Sequence, residues 1–178
     1  TICTCKQNSQ RLIGRKTIMS YKFVALPNPS IDMGHIYSAR KIVDEALGGG
    51  YFSEHLNTIS CAWICLHGGS VVGWAATASE EEVGILKCVV VKPSHRGKGV
   101  GQQFIDVRLK FLKSQDYRLV KSYAWVRPNG SCPSCKILEK NGFIATEELE
   151  GFYADCDHKC PSCKDKCKCV ARVYQKKL

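Results

Sequence analysis

The chain has 178 residues, 44% of them apolar and 24% charged, with a formal net charge of +10. That length encloses one core without staples, and this composition excludes a disordered or fibrous chain. No apolar run reaches the roughly 20 residues that span a bilayer, while the positive charge suggests an anionic partner: a nucleic acid, an acidic protein or the phosphates of a cofactor.

The first 18 residues, TICTCKQNSQRLIGRKTI, are basic, lack any acidic residue and read as an N-terminal extension, a targeting or upstream segment with no secretory apolar core. They separate Cys3 and Cys5 from a single domain expected over residues 19–178. YKFVAL at 21–26 predicts a strand that PNP ends. From Ile31 to Leu47, apolar residues at Ile36, Ala39, Ile42, Val43, Ala46 and Leu47 keep helical spacing until GGG at 48–50, and a shorter helix follows at Phe52 to Asn57. CAWICLH and VVGWAATAS around a glycine turn predict a hairpin. An acidic turn, Glu80 to Glu82, then leads to VGILKCVVV at 83–91, apolar enough for a central strand. Cys61, Cys65 and Cys88 sit inside these apolar runs, where a thiol packs as a small hydrophobe.

Pro93 breaks that strand, RGKGVG follows, and a helix from Val100 to Leu112 presents Phe104, Val107 and Phe111 on one face. LVKSYAWV at 119–126 is the next strand and RPNGS its loop. CPSCKILEK reads as a helix with Pro133 in its first turn, ended by Asn141 and Gly142. FIATEELEGFYAD and KCVARVYQ predict two strands joined by a cysteine-rich tip, and Lys159, Lys164, Lys166, Lys168, Lys176 and Lys177 crowd this end.

The order strand, R-x-x-G-x-G, helix has a physical meaning. Glycines at 97, 99 and 101 let the backbone approach a ligand closely, and successive amides opening a helix make an anion site aided by the helix dipole. The spacing is not that of the dinucleotide fingerprint, and no G-K-[ST] follows to make a P-loop. VVVKPSHRGKGVGQQF at 89–104 resembles the cofactor signature of the GNAT N-acetyltransferase superfamily, and ILEKNGF at 137–143 resembles its later helix-end motif, within a likeness spanning roughly Tyr21 to Gln175.

This resemblance implies an α/β (α+β) fold with a mixed, mostly antiparallel sheet flanked by helices, splayed between the strands ending at Val91 and Val126. It implies acetyl-CoA in the gap as cosubstrate, its pantetheine arm on the backbones of Val89 and Val91 and its pyrophosphate on Arg96, Gly97, Lys98, Gly99, Val100, Gly101 and Gln102. The implied chemistry is attack of a neutral amine on the acetyl thioester, with an amide near Val89 stabilising the oxyanion. A lysine-like amine, with a pKa of about 10.4, needs a base or a dry pocket. Three positions depart from the family pattern: Ile85 stands where a strand glutamate serves as base, Leu138 where a tyrosine protonates the leaving thiolate, and Ser131 where an asparagine is usual, with Asn129 two residues early. The acid and base are therefore unassigned; Glu82, Tyr123 and Tyr153 are the candidates, each with ordinary packing or surface exposure as its plainer explanation.

CPSC occurs twice, at 132–135 and 160–163, among twelve cysteines. C-x-x-C and C-x-C spacings with intervening lysines fit metal ligation better than disulfides, which points to a reducing compartment such as the cytoplasm. A right-handed crossover would return the tip to the level of Cys132, so Cys132, Cys135, Cys160 and Cys163 are expected to form a structural four-thiolate zinc site in a knuckle at about 156–169, leaving Cys156, Cys167, Cys169 and His158 over. A redox pair at Cys132 and Cys135 is the rival, since C-P-x-C at a strand-to-helix junction suits thiol exchange. Two other classes compete with the amine acetyltransferase: a zinc knuckle that binds nucleic acid or protein through its lysines, and a thiol redox sensor. The acceptor is unread; a small amine, an antibiotic, a peptide amino terminus and a protein lysine all fit the sequence.

Overall fold

A computed structural model describes residues 20–27, 33–157 and 159–178; the N-terminal extension with Cys3 and Cys5, and His158, lie outside the described residues. The elements run β1 (Lys22–Leu26), α1 (Met33–Leu47), α2 (Tyr51–His55), β2 (Cys61–His67), β3 (Ser70–Glu80), β4 (Val83–Val91), α3 (Val100–Ser114), β5 (Leu119–Val126), α4 (Cys135–Lys140), β6 (Ile144–Leu149) and β7 (Val170–Lys177). They form one seven-stranded sheet in the order β1-β2-β3-β4-β5-β7-β6. Among the described strands only β4 and β5 pair in parallel, so the sheet is mixed and mostly antiparallel, as the family resemblance implies.

The apolar runs of β2 and β3 are long because both faces are covered. On one face, Ile64, Trp74 and Ala76 pack with Val43 of α1 and Phe52 of α2. On the other, Trp63, Cys65 and Ala75 pack with Val100 and Phe104 of α3. A second core joins Val120 and Ala124 of β5 to Ile105, Leu112, Leu138 and Tyr174. No described helix is long and apolar enough to cross a membrane.

Two predicted elements are shorter than expected. The helix placed over CPSCKILEK begins at Cys135, because the Cys135 amide donates to the Cys132 carbonyl at 3.3 Å and closes a turn over Pro133 and Ser134 before the helix starts. The strand placed over FIATEELEGFYAD stops at Leu149; Gly151, at φ 70°, turns the chain out of the sheet. β6 runs in the same direction as β5, as expected, with β7 inserted between them.

Burial pushes the thiols of Cys61 and Cys65 from 9 up to about 11. A raised folded-state value means that the native state keeps protons that the unfolded chain has already lost. Stability should therefore be intact below about pH 9 and decline towards pH 11, and urea midpoints measured across that range should fall less steeply in Cys65→Ala than in the parent.

Candidate active site

β4 and β5 pair only from Val83 to Leu86 against Leu119 to Ser122. Beyond that point the strands part. β4 also carries a bulge: Ala75 of β3 faces Val89 while Thr77 faces Leu86, so Lys87 and Cys88 share Ala76. A one-residue slip turns side chains to the opposite face of a sheet. Leu86 accordingly packs with Ile105 and Leu112 of α3, whereas Cys88 and Val90 pack on the α1 side.

The bulge is held by a buried cation. Arg108, 1% exposed, donates through Nη1 to the carbonyls of Lys87 at 3.1 Å and Ala76 at 3.4 Å, and through Nε to Phe104 O at 2.9 Å. Burial lowers its guanidinium from 12.5 to about 10, still charged at neutral pH. Sequence reasoning missed this residue, although an arginine between Phe104 and Leu112 at i, i+4 spacing on a buried helix face was the available signal.

Past the splay, β4 runs into the glycine loop. The Lys92 amide donates to Val72 O at 2.9 Å on the β3 side. Alternation along the strand turns the Val91 main chain the other way, where its carbonyl accepts from Arg96 Nε at 2.9 Å. Gly97 and Gly99 both take positive φ, 71° and 81°, and Gly99 is the N-cap of α3. The first bond of the α3 ladder runs from Gln103 N to Gly99 O, so the amides of Val100, Gly101 and Gln102 open the helix unpaired within it.

A groove of about 490 Å³ collects these parts. Val91, Arg96, Gly97, Gly99, Gly101 and Gln102 line one wall. Pro133 of the turn before α4, together with Lys136, Ile137 and Lys140 of α4, none of them among the expected site residues, line the other, with His95 at the loop. Of the remaining expected residues, Val89 and Val100 pack into the core beneath, and Lys98 is exposed outside the lining. The Gln102 side chain is engaged with Asn141: its Nε2 donates to Asn141 Oδ1 at 2.6 Å, and Asn141 Nδ2 donates back to Gln102 Oε1 at 3.0 Å, clamping α3 to the end of α4.

The opposite face of the splay carries different chemistry. Tyr123 is the first β5 residue beyond the paired stretch; its hydroxyl donates to Glu80 Oε2 at 3.0 Å, and its carbonyl accepts from the Tyr153 hydroxyl at 3.4 Å. Burial, then Cys88 and Tyr153, raises Tyr51 well above its ordinary value, and burial raises Cys88 as well. Burial and Glu80 push Tyr123 up to about 12, and burial followed by Cys156 raises Tyr153. These phenols are proton donors at neutral pH. Glu82 stands at the far end of β4 in a second concavity with Gln115 to Arg118, away from the splay. Ile85 and Leu138 are both core residues.

The cysteines differ from expectation. Both CPSC copies make the same turn, Cys135 N to Cys132 O at 3.3 Å and Cys163 N to Cys160 O at 3.4 Å, but they do not share a site. Cys132 and Cys135 form a disulfide with each other, a correction to the four-thiolate set expected from the two copies. Cys160 and Cys163 instead gather with Cys167 and Cys169, all four sulfurs within 4.8 Å of one another. The reason is the sheet. Cys169 precedes β7 in phase with Ala171 and Val173, while Arg172 and Tyr174 project to the other face, where Arg172 Nη1 lies 3.8 Å from Cys135 Sγ and Tyr174 donates to Glu139 of α4 at 2.6 Å.

The splayed sheet, the bulge and the glycine-capped helix define an α/β transferase fold of the acyltransferase type. A family model, the acetyltransferase (GNAT) family, matches residues 35–143, and the chain belongs to that family. Its fold is similar to a GNAT family acetyltransferase from Elizabethkingia anophelis with acetyl-CoA bound, at a TM-score of 0.69 and 14% identity over 89% of this chain and 98% of that one. It is also similar to an IAA acetyltransferase from Bacillus cereus, at 0.67 and 13% over 89% and 100%, and to the ribosomal-protein-S18-alanine N-acetyltransferase from Escherichia coli, at 0.61 and 12% over 89% and 94%. A sequence comparison with curated proteins gives no match.

Arg108→Met keeps the volume but leaves two buried carbonyls without a donor, a net loss of about 2–4 kcal/mol once the relieved burial of charge is set against it. Urea unfolding should show that loss.

Proposed function

We propose that the protein transfers an acetyl group from acetyl-CoA to an amine. The carrying observation is the glycine-capped start of α3 opening onto a groove beside the gap between β4 and β5. The donor set suits a diphosphate: amides of 97–102 on one side, with Lys136 and Lys140 adding cations from α4. The main chain of Val89 and Val91, turned towards the gap, suits an extended amide-bearing arm, and the thioester would then lie at the bulge.

In this reading the amine nitrogen bonds to the thioester carbon, the C–S bond breaks, and the proton shed by the amine balances the one taken up by the thiolate sulfur. Tyr51 and Tyr153 stand on the acceptor side as neutral hydroxyls able to relay that proton. An amine acceptor is supported by charge. In a chain of net +10, carboxylates gather on this face: Glu54, Asp155 and Asp157 around Cys156, and Glu80 and Glu147 around Tyr123. Such a setting draws a cation.

The reading includes one structural zinc, held by Cys160, Cys163, Cys167 and Cys169, with no open position for catalysis. The reading places the protein in a reducing compartment such as the cytoplasm, on the strength of eight free cysteines among the described residues against the one Cys132–Cys135 disulfide. A second function, nucleic-acid binding by the knuckle, is favoured by the exposed Lys159, Lys164, Lys166 and Lys168; it requires salt-sensitive binding that is lost when the tip is removed.

Titration calorimetry should show saturable acetyl-CoA binding, weakened at least tenfold in Gly99→Asp and in Gly101→Asp. Absence of saturable binding by the parent protein contradicts the assignment. In a panel of acceptor amines scored by release of the CoA thiol, polycationic amines should give the highest kcat/KM, and that advantage should shrink as salt is raised. Equal rates with neutral amines would remove the charge reading.

A further inference from the structure

Between Leu149 and Cys169 no described side chain is fully buried, so this segment has no apolar core of its own. Yet its first turn is placed firmly on the sheet. Phe152 stacks on Tyr123 with ring centroids 5.1 Å apart and planes 11° from parallel, and Tyr153 donates to the Tyr123 carbonyl. Something other than a hydrophobic core has to hold the rest of the segment down.

Among the described residues the thiols are the one cluster available. Bonds of about 2.3 Å to a tetrahedral zinc set neighbouring sulfurs about 3.8 Å apart, and Cys169 Sγ lies 3.7 Å from Cys160 Sγ and 3.9 Å from Cys163 Sγ. The Lys168 amide donates to Cys163 Sγ at 3.3 Å, a bond that favours thiolate. Four thiolates and a divalent ion leave a net negative site, offset by the four lysines of the segment, and Lys166 pairs with Asp155 at 3.6 Å. Cys169 leads directly into β7, which pairs with β5 along its whole length.

We propose that zinc on these four thiols builds the acceptor wall of the cleft, fixing the Phe152–Tyr153 corner against Tyr123 on the face opposite the glycine groove. The zinc acts as a positioning element for the acceptor and has no part in holding the acetyl donor. This deepens the acetyl-transfer reading and rests on it for the identity of that wall.

The test uses the full chain purified under reducing conditions, before and after zinc is stripped by a chelator, together with Cys163→Ser and Cys167→Ser. Four quantities are read: metal per chain, hydrogen exchange at 151–154 and at 97–103, acetyl-CoA affinity, and kcat/KM with the most active amine of the panel. The expected result is about one zinc per chain. Its loss should speed exchange at 151–154 at least tenfold and cut kcat/KM at least tenfold, while exchange at 97–103 and acetyl-CoA affinity stay within twofold. Cobalt added to the stripped protein should give a thiolate charge-transfer band and restore the protection. A protein without metal, or one in which stripping leaves 151–154 and kcat/KM unchanged, overturns the inference while acetyl-CoA binding still stands. Loss of acetyl-CoA affinity along with the zinc also overturns it, because the two sites would then not be separable. Failure of the zinc-loaded protein to bind acetyl-CoA is a different result, and it removes the transferase reading itself.

Discussion

Arg108 places one guanidinium beneath the point where β3 and β4 fall out of register, and its bonds to Ala76 and Lys87 answer for carbonyls that the bulge takes out of the ladder. A buried charge with no carboxylate beside it is costly, and its persistence reflects how many main-chain acceptors it serves at once. The consequences spread outward. The slip decides which β4 residues face α3 and which face α1, and β4 parts from β5 at the same level, after Leu86. The resulting gap lies between two strands that end in the glycine loop and the α4 turn.

The gap has two unlike sides. The α3 and α4 side offers amides, cations and a clamp of paired amide side chains between Gln102 and Asn141. The α2 side offers phenols, a thiol and carboxylates. In the proposed reading a diphosphate-bearing donor takes the first side and a cationic acceptor the second, so that the two reactants would meet through the sheet without competing for the same charges. The two CPSC turns repeat this division, with the disulfide at the start of α4 on the α3 and α4 side and the four-thiol cluster on the opposite face.

Much of this could be read from the residues. The strands at 83–91 and 119–126 fall where unbroken apolar runs and turn signals place them, and the glycine loop has the geometry that R-x-x-G-x-G requires. Side-chain partnership was harder to read. Spacing alone shows that Cys160 and Cys163 can reach one ligand together; it does not show that an intervening sheet bars Cys132 and Cys135 from joining them. That depends on the phase of β7, which is fixed only once Cys169 is seen in step with Ala171. The α4 wall of the groove was missed for a similar reason: Lys136 and Lys140 look like solvated lysines until the crossover brings them opposite Gly99. Arg108 was missed because a charge on an apolar face looks like an interruption of the helix pattern, whereas here it is the reason for the pattern around it.

The most direct measurement of the donor site is an amide-resolved NMR titration with acetyl-CoA. Saturable shifts should concentrate on the amides of 97–102 and of Val89 and Val91, with the knuckle from 156 to 169 almost unmoved. Shifts that fail to saturate, or that centre on the knuckle lysines, would contradict a donor site formed by the start of α3.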